Sequence, residues 1–81
     1  MAKKSPLYAG DPALVALGEA VRQARRSAGL SQEALALATG LDRSYVGGLE
    51  RGEHNLSLMS LVRIAAVLKV KASELLASAG Q

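Results

Sequence analysis

The chain contains no cysteine, tryptophan or phenylalanine, and it has only two tyrosines and two prolines. Without cysteine there can be no disulfide, thiolate metal site or thiol nucleophile. That fits a reducing cytoplasm, the expected location, although the absence does not by itself fix a compartment. With only Tyr8 and Tyr45 to stack on, single-stranded nucleic acid and RNA would find few aromatic platforms. The core must instead come from Leu, Val, Ile and Ala, which make up much of the 49% hydrophobic content.

Long apolar runs are also missing. The stretch Ile64-Ala65-Ala66-Val67-Leu68 is far too short to cross a bilayer. Lys3 and Lys4 stand before apolar residues in the manner of a signal peptide, but Gly10, Asp11 and Pro12 interrupt that stretch too early. A single histidine, no cysteine and no clustered carboxylates leave no catalytic set to assemble, no metal site and no expected cofactor. No glycine-rich phosphate loop or small-molecule ligand site is evident either.

What is present is a pattern for helices. At 81 residues there is room for one small domain, which would gain stability from dimerisation. Pro6 and Pro12 both precede residue 13, so nothing beyond them forbids helix. Residues 1–11 lack periodicity and read as a flexible N-terminal arm, followed by a domain over 12–81. An apolar stripe at Leu14, Leu17, Val21, Ala24 and Ala28 marks a first helix, with Asp11 as its cap, Pro12 in its first turn and Gly29 at its end. Ser31 caps a second helix, in which Leu35, Ala36 and either Ala38 or Thr39 face inward, and Gly40 stops it. Asp42 caps a third helix reaching about Arg51, with Val46 and Leu49 buried and Gly52 as terminator. Ser57 caps a fourth, with apolar positions Leu58, Leu61, Ile64, Ala65 and Leu68, and a fifth spans Ala72 to Ala79 with Glu74 at its positive end. The fold class is all-α.

The second and third helices, joined by a tight turn, form the two-helix unit that lets one helix clamp a DNA backbone while the next enters the major groove. Ala36 and Gly40 are small, as a close crossing of these helices requires. A net charge of +3 permits a nucleic-acid partner without demanding one.

The pattern Leu30-Ser31-Gln32-Glu33, Leu35-Ala36, Gly40-Leu41, Ser44-Tyr45-Val46 and Leu49-Glu50-Arg51-Gly52 resembles the Cro/repressor-type (XRE) helix-turn-helix family. Ser57-Leu58, Leu61, Ile64-Ala65, Leu68, Val70 and Glu74-Leu75-Leu76 continue the likeness. The segment from Leu41 to Gly52, with Asn55 beyond it, also resembles restriction–modification controller proteins. The resemblance implies a compact five-helix, lambda-repressor-like DNA-binding domain whose third helix reads the major groove of a double-stranded operator.

Several residue roles follow from the resemblance. Arg43 and Ser44 fall where side chains reach base edges, and Arg43 suits the bidentate pairing with guanine; contact with phosphate or solvent is the alternative. Gln32, Tyr45, Arg51, His54 and Asn55 fall at phosphate-contacting positions. The alternatives are a solvated first-turn residue at Gln32 and a plain loop residue at His54. Arg25 and Glu50 match a buried structural ion pair, with Arg22 and Arg26 on a solvated face. The family often carries a base-reading side chain at Gly48. Its absence means either closer backbone approach to DNA or, preferably, fewer bases read and more reliance on DNA shape. A homodimer is implied, with Val70, Leu75 and Leu76 as its interface, unless the two leucines only complete the monomer core. Lys3 and Lys4 could lie along DNA or simply aid solubility. Together these readings describe a DNA-binding transcriptional regulator, with a protein-interaction module on the same fold, of antitoxin or anti-repressor type, as the alternative.

Overall fold

Five helices follow one another in the computed structural model, which describes residues 3–81: α1 (Pro12–Ser27), α2 (Gln32–Thr39), α3 (Arg43–Glu50), α4 (Leu58–Leu68) and α5 (Ala72–Ser78). There is no strand among the described residues. Asp11 caps α1 by accepting from the Ala13 N–H, with Pro12 in the first turn. Ser31 and Ser57 cap α2 and α4 by accepting from the N–H groups of Ala34 and Ser60. Asp42 occupies the cap position of α3 without capping it. Its carboxylate instead accepts from the Ser44 hydroxyl. At α5 the side chain of Glu74 reaches back to the Lys71 N–H, so it does more than favour the helix dipole.

All five helices end in the same hydrogen-bond pattern, in which two successive N–H groups past the last turn fold back onto its carbonyls. In α2 the N–H of Leu41 bonds to Ala36 O at 3.0 Å and that of Gly40 to Leu37 O at 3.4 Å. Gly40 takes φ 74° there, and a Cβ at this position would meet nothing within 4 Å. Its smallness therefore serves the left-handed turn and not the helix crossing expected from the sequence. At α4 the left-handed position is filled by Lys69, at φ 59°.

The core collects Leu17 and Val21 from α1, Leu35 and Ala36 from α2, and Val46 and Leu49 from α3. Leu61, Ile64, Ala65 and Leu68 of α4 and Leu75 of α5 complete it. Thr39, not Ala38, turns inward at the end of α2, with its hydroxyl bonded back to Leu35 O. Leu58 departs from the expected stripe: it is 69% exposed, as is its neighbour Met59 at 68%, so the first turn of α4 is left uncovered. Ala28 is likewise exposed.

Helix α3 packs against both α1 and α2, while α5 rests on α1 and α4. The tightest approach is at Gly18 of α1. A Cβ there would overlap the Leu49 carbonyl oxygen and lie 2.7 Å from that of Glu50. Only a glycine lets α1 press this closely on the end of α3, and that fixes how α3 is presented.

The N-terminal segment does not stand apart from the domain as an arm. The Ser5 N–H donates to Glu53 O at 2.8 Å and the Gly10 N–H to Gly52 O at 2.8 Å. These bonds tie residues 5–10 to the turn after α3, where unpaired carbonyls were available. The first two residues of the expected arm lie outside the described residues.

Candidate nucleic-acid interface

Residues four apart on a helix share a face, and on α3 this rule aligns Arg43, Gly47 and the C-capping Arg51. Arg43 is exposed at the first helical position, and Ser44 beside it donates to Asp42. A cavity of about 240 Å³ opens on this face, lined by Lys4, Arg43, Ser44, Gly47, Arg51, Glu53 and His54. It brings together Arg43, Ser44, Arg51 and His54 from the expected contact residues, with Lys4 of the N-terminal segment. Gln32, Tyr45 and Asn55 lie outside its lining.

Behind the face sits a buried charge network. Arg25 grips Glu50 with two bonds, Nε to Oε2 at 2.6 Å and Nη2 to Oε1 at 3.0 Å, and also donates through Nη1 to Leu30 O. Gln32, at the start of α2, donates through Nε2 to Glu50 Oε1 at 3.0 Å. Burial alone would push the Glu50 carboxyl up. The bonds from Arg25 and Gln32 and the nearby Arg25 and Arg22 charges outweigh it and hold that carboxyl below the ordinary range. Arg25 is correspondingly raised, chiefly by its bond to Glu50. Glu50 thus links α1, α2 and α3, and it fixes the rotamer of Gln32 at the N-terminus of α2, where anions are favoured.

Arg22 departs from its expected solvated face. Its Nε is buried and lies 3.7 Å from Glu50 Oε1, close enough for attraction but too far for a hydrogen bond. Arg26 remains exposed.

His54 also departs from expectation. It is only 7% exposed and its ring stacks on Tyr45, with centroids 4.6 Å apart. The ring fills the space left by Gly48, where a Cβ would overlap His54 Nε2 and lie 2.8 Å from Cδ2. His54 is therefore a packing residue of α3 rather than an outward-facing loop side chain. Gly48 in turn points into the subunit, where the His54 ring takes the space that a side chain would need. Gly47 points the other way, buried beneath the ends of the Arg51 and Gln32 side chains at the wall of the cavity. Asn55 is exposed and Tyr45 half-buried.

Glu53 was not legible as a site residue, and the sequence left open whether Lys4 meets DNA or only aids solubility. Glu53 receives both Arg51 Nε, at 3.0 Å, and Nη2, at 3.2 Å, with Lys4 Nζ at 3.7 Å. The proximity of Glu53 to Arg51 in sequence was its only signal, and the charge of Lys4 gave no sign of its docking beside Glu53.

This geometry, two short helices joined by a turn at Gly40 with Arg43 exposed at the start of the second, is shared with known proteins. A family model described as helix-turn-helix matches residues 21–75, from the middle of α1 into α5. The chain belongs to the helix-turn-helix family. It is of the XRE type, and its homologues are DNA-binding transcriptional regulators rather than enzymes. Control protein C.SmaI of Serratia marcescens is 42% identical over 64 residues, covering 79% of this chain and 76% of that protein. Among solved structures, the restriction–modification controller C.AhdI from Aeromonas hydrophila is 50% identical with a TM-score of 0.75, covering 76% of this chain and 94% of that one. SinR, a master regulator for biofilm formation solved in complex with DNA, is 34% identical with a TM-score of 0.71, covering 74% and 97%. The all-α, five-helix architecture is that of these regulators.

Proposed function

We propose that this helix-turn-helix regulator binds a specific double-stranded operator by laying α3 in the major groove. The observation that carries the reading is the α3 face itself: Arg43 exposed at its leading edge, Arg51 at its trailing edge and Gln32 of α2 held beside it by Glu50. Arg43 and Ser44 contact bases, with Arg43 suited to a guanine edge. Gln32, Arg51, Asn55 and Tyr45 contact phosphates and set the register. The relatives support this, because SinR was solved on DNA and controller proteins are regulators by name.

A symmetric operator calls for a homodimer. Of the three side chains expected at its interface, Leu75 is only 3% exposed and belongs to the monomer core. Val70 and Leu76 are half-buried against that core and retain an outward edge. The dimer contact is assigned to these two.

Selection of bound sequences from random duplexes, followed by titration at several salt concentrations, tests the reading. Each phosphate contact should contribute about −0.9 to the slope of log affinity against log salt. A preferred sequence with two-fold symmetry and a steep slope is the expected result. Absence of duplex binding would overturn it.

One observation favours the second reading, a protein-interaction module. Leu58 and Met59, at 69% and 68% exposure, and Val62 leave the start of α4 uncovered and apolar. Duplex binding that is absent at every salt concentration would favour that reading.

A further inference from the structure

We propose that the cavity between the N-terminal segment and α3 takes one backbone phosphate of duplex DNA, with Lys4 and Arg51 as its cationic walls and Glu53 as the internal anion that this phosphate displaces. The proposal rests on the reading of α3 as a DNA-binding helix and deepens the phosphate contact expected of Arg51, adding Lys4 as a second cation and Glu53 as a competitor within the same cavity.

The first support is placement. Main-chain bonds from Ser5 to Glu53 O and from Gly10 to Gly52 O hold the segment against the turn that follows α3. Lys4 is therefore carried to the edge of the recognition face by a second element, and it lines the same cavity as Arg43 and Gly47.

The second is the geometry around Glu53. Its two carboxylate oxygens take Nε and Nη2 of Arg51, the planar fork that a guanidinium presents equally to a phosphate. Lys4 Nζ approaches the same Oε2 at 3.7 Å. The bond from Arg51, with the Arg51 and Lys4 charges, keeps this carboxyl below its ordinary range, so it is an anion at neutral pH. Two cations from separate elements thus converge on a pair of negative oxygens, the arrangement a phosphate requires.

The third is cost. The side chains of Lys4 and Arg51 are 68% and 57% exposed, so their bonds to Glu53 are weak surface pairs. A DNA phosphate also releases condensed counterions, which a carboxylate on the same chain does not. Exchange of Glu53 for phosphate is favourable on both grounds. The bare Gly47 leaves room for it, since a Cβ at that position would already lie 3.3 Å from Arg51 Nη1.

The test compares wild type, Glu53→Gln, Arg51→Gln, the double variant and Lys4→Gln on one selected duplex, by fluorescence anisotropy at several salt concentrations. Thermal melts confirm folding, and Glu53→Ser serves if Glu53→Gln melts early. Glu53→Gln should bind about 3–5-fold more tightly than wild type. The gain should shrink below about two-fold in the Arg51→Gln background, because a competitor acts only through the cation it occupies. Lys4→Gln should weaken binding and reduce the salt slope by about one. Unchanged or weaker binding by Glu53→Gln would overturn the proposal, as would an equal gain without Arg51. A wild-type slope in Lys4→Gln would remove Lys4 from the site. Failure of wild type to bind any duplex would defeat the functional reading itself, whereas binding without the Glu53 effect defeats this inference alone.

Discussion

Gly48 and His54 occupy one space: the hydrogen on Gly48 leaves room for the imidazole, and a methyl group there would overlap Nε2. The ring also stacks on Tyr45. A residue in the loop after α3 is thereby locked under the helix it follows. The rigidity of the presented face comes from behind as well as from its own turns.

The two neighbouring glycines should therefore respond oppositely to alanine. Both gain about 1 kcal/mol of helix propensity. Gly48→Ala must displace a buried ring, an overpacking cost of about 1–3 kcal/mol, and should lower the melting temperature. Gly47→Ala meets only the flexible end of Arg51 at 3.3 Å and Gln32 Oε1 at 3.5 Å. It should raise the melting temperature while weakening duplex binding. Equal shifts in both variants would refute the assignment of these two different neighbourhoods.

Glu50 makes stability depend on acid. Its carboxyl is lower in the folded chain than its ordinary value of 4.5. The unfolded chain therefore takes up the proton first as pH falls. The stabilisation is full above the ordinary glutamate range and is lost as pH drops through the lowered value. Arg25→Ala leaves that buried carboxylate without its bidentate partner, at a cost of about 3–5 kcal/mol. Urea melts from pH 7 to pH 3 should show a fall for wild type and a flatter profile for Arg25→Ala.

Lys69 ends α4 at φ 59°, where a side chain is strained. Lys69→Gly should stabilise the domain by roughly 0.5–1 kcal/mol, the strain relieved less the added chain entropy. A lower unfolding midpoint in urea would contradict this.

Arg43→Ala and Gln32→Ala should separate reading from clamping. The first is expected to relax preference at one base position, losing about 1–3 kcal/mol of discrimination. The second should weaken all duplexes alike. It should also cost about 1 kcal/mol of stability, since Gln32 donates to Glu50. Repeating the sequence selection with each variant checks both, and unchanged specificity in Arg43→Ala would remove it from base contact.

The five helices, their caps at Asp11, Ser31 and Ser57 and the turn at Gly40 were all set by local chemistry. Apolar spacing and capping preferences act within a few residues, so they can be read along a chain. The matches of Arg25 with Glu50 and of Gln32 with the start of α2 were legible only through resemblance to a family. Only the packed structure decided that Gly48 faces His54 and Gly47 faces Arg51 and Gln32, that Gly18 lets α1 touch the end of α3, and that Leu75 is core. The same holds for the docking of Lys4 beside Glu53. Each of these depends on which residues from distant parts of the chain meet, and no periodicity within one helix encodes its neighbour.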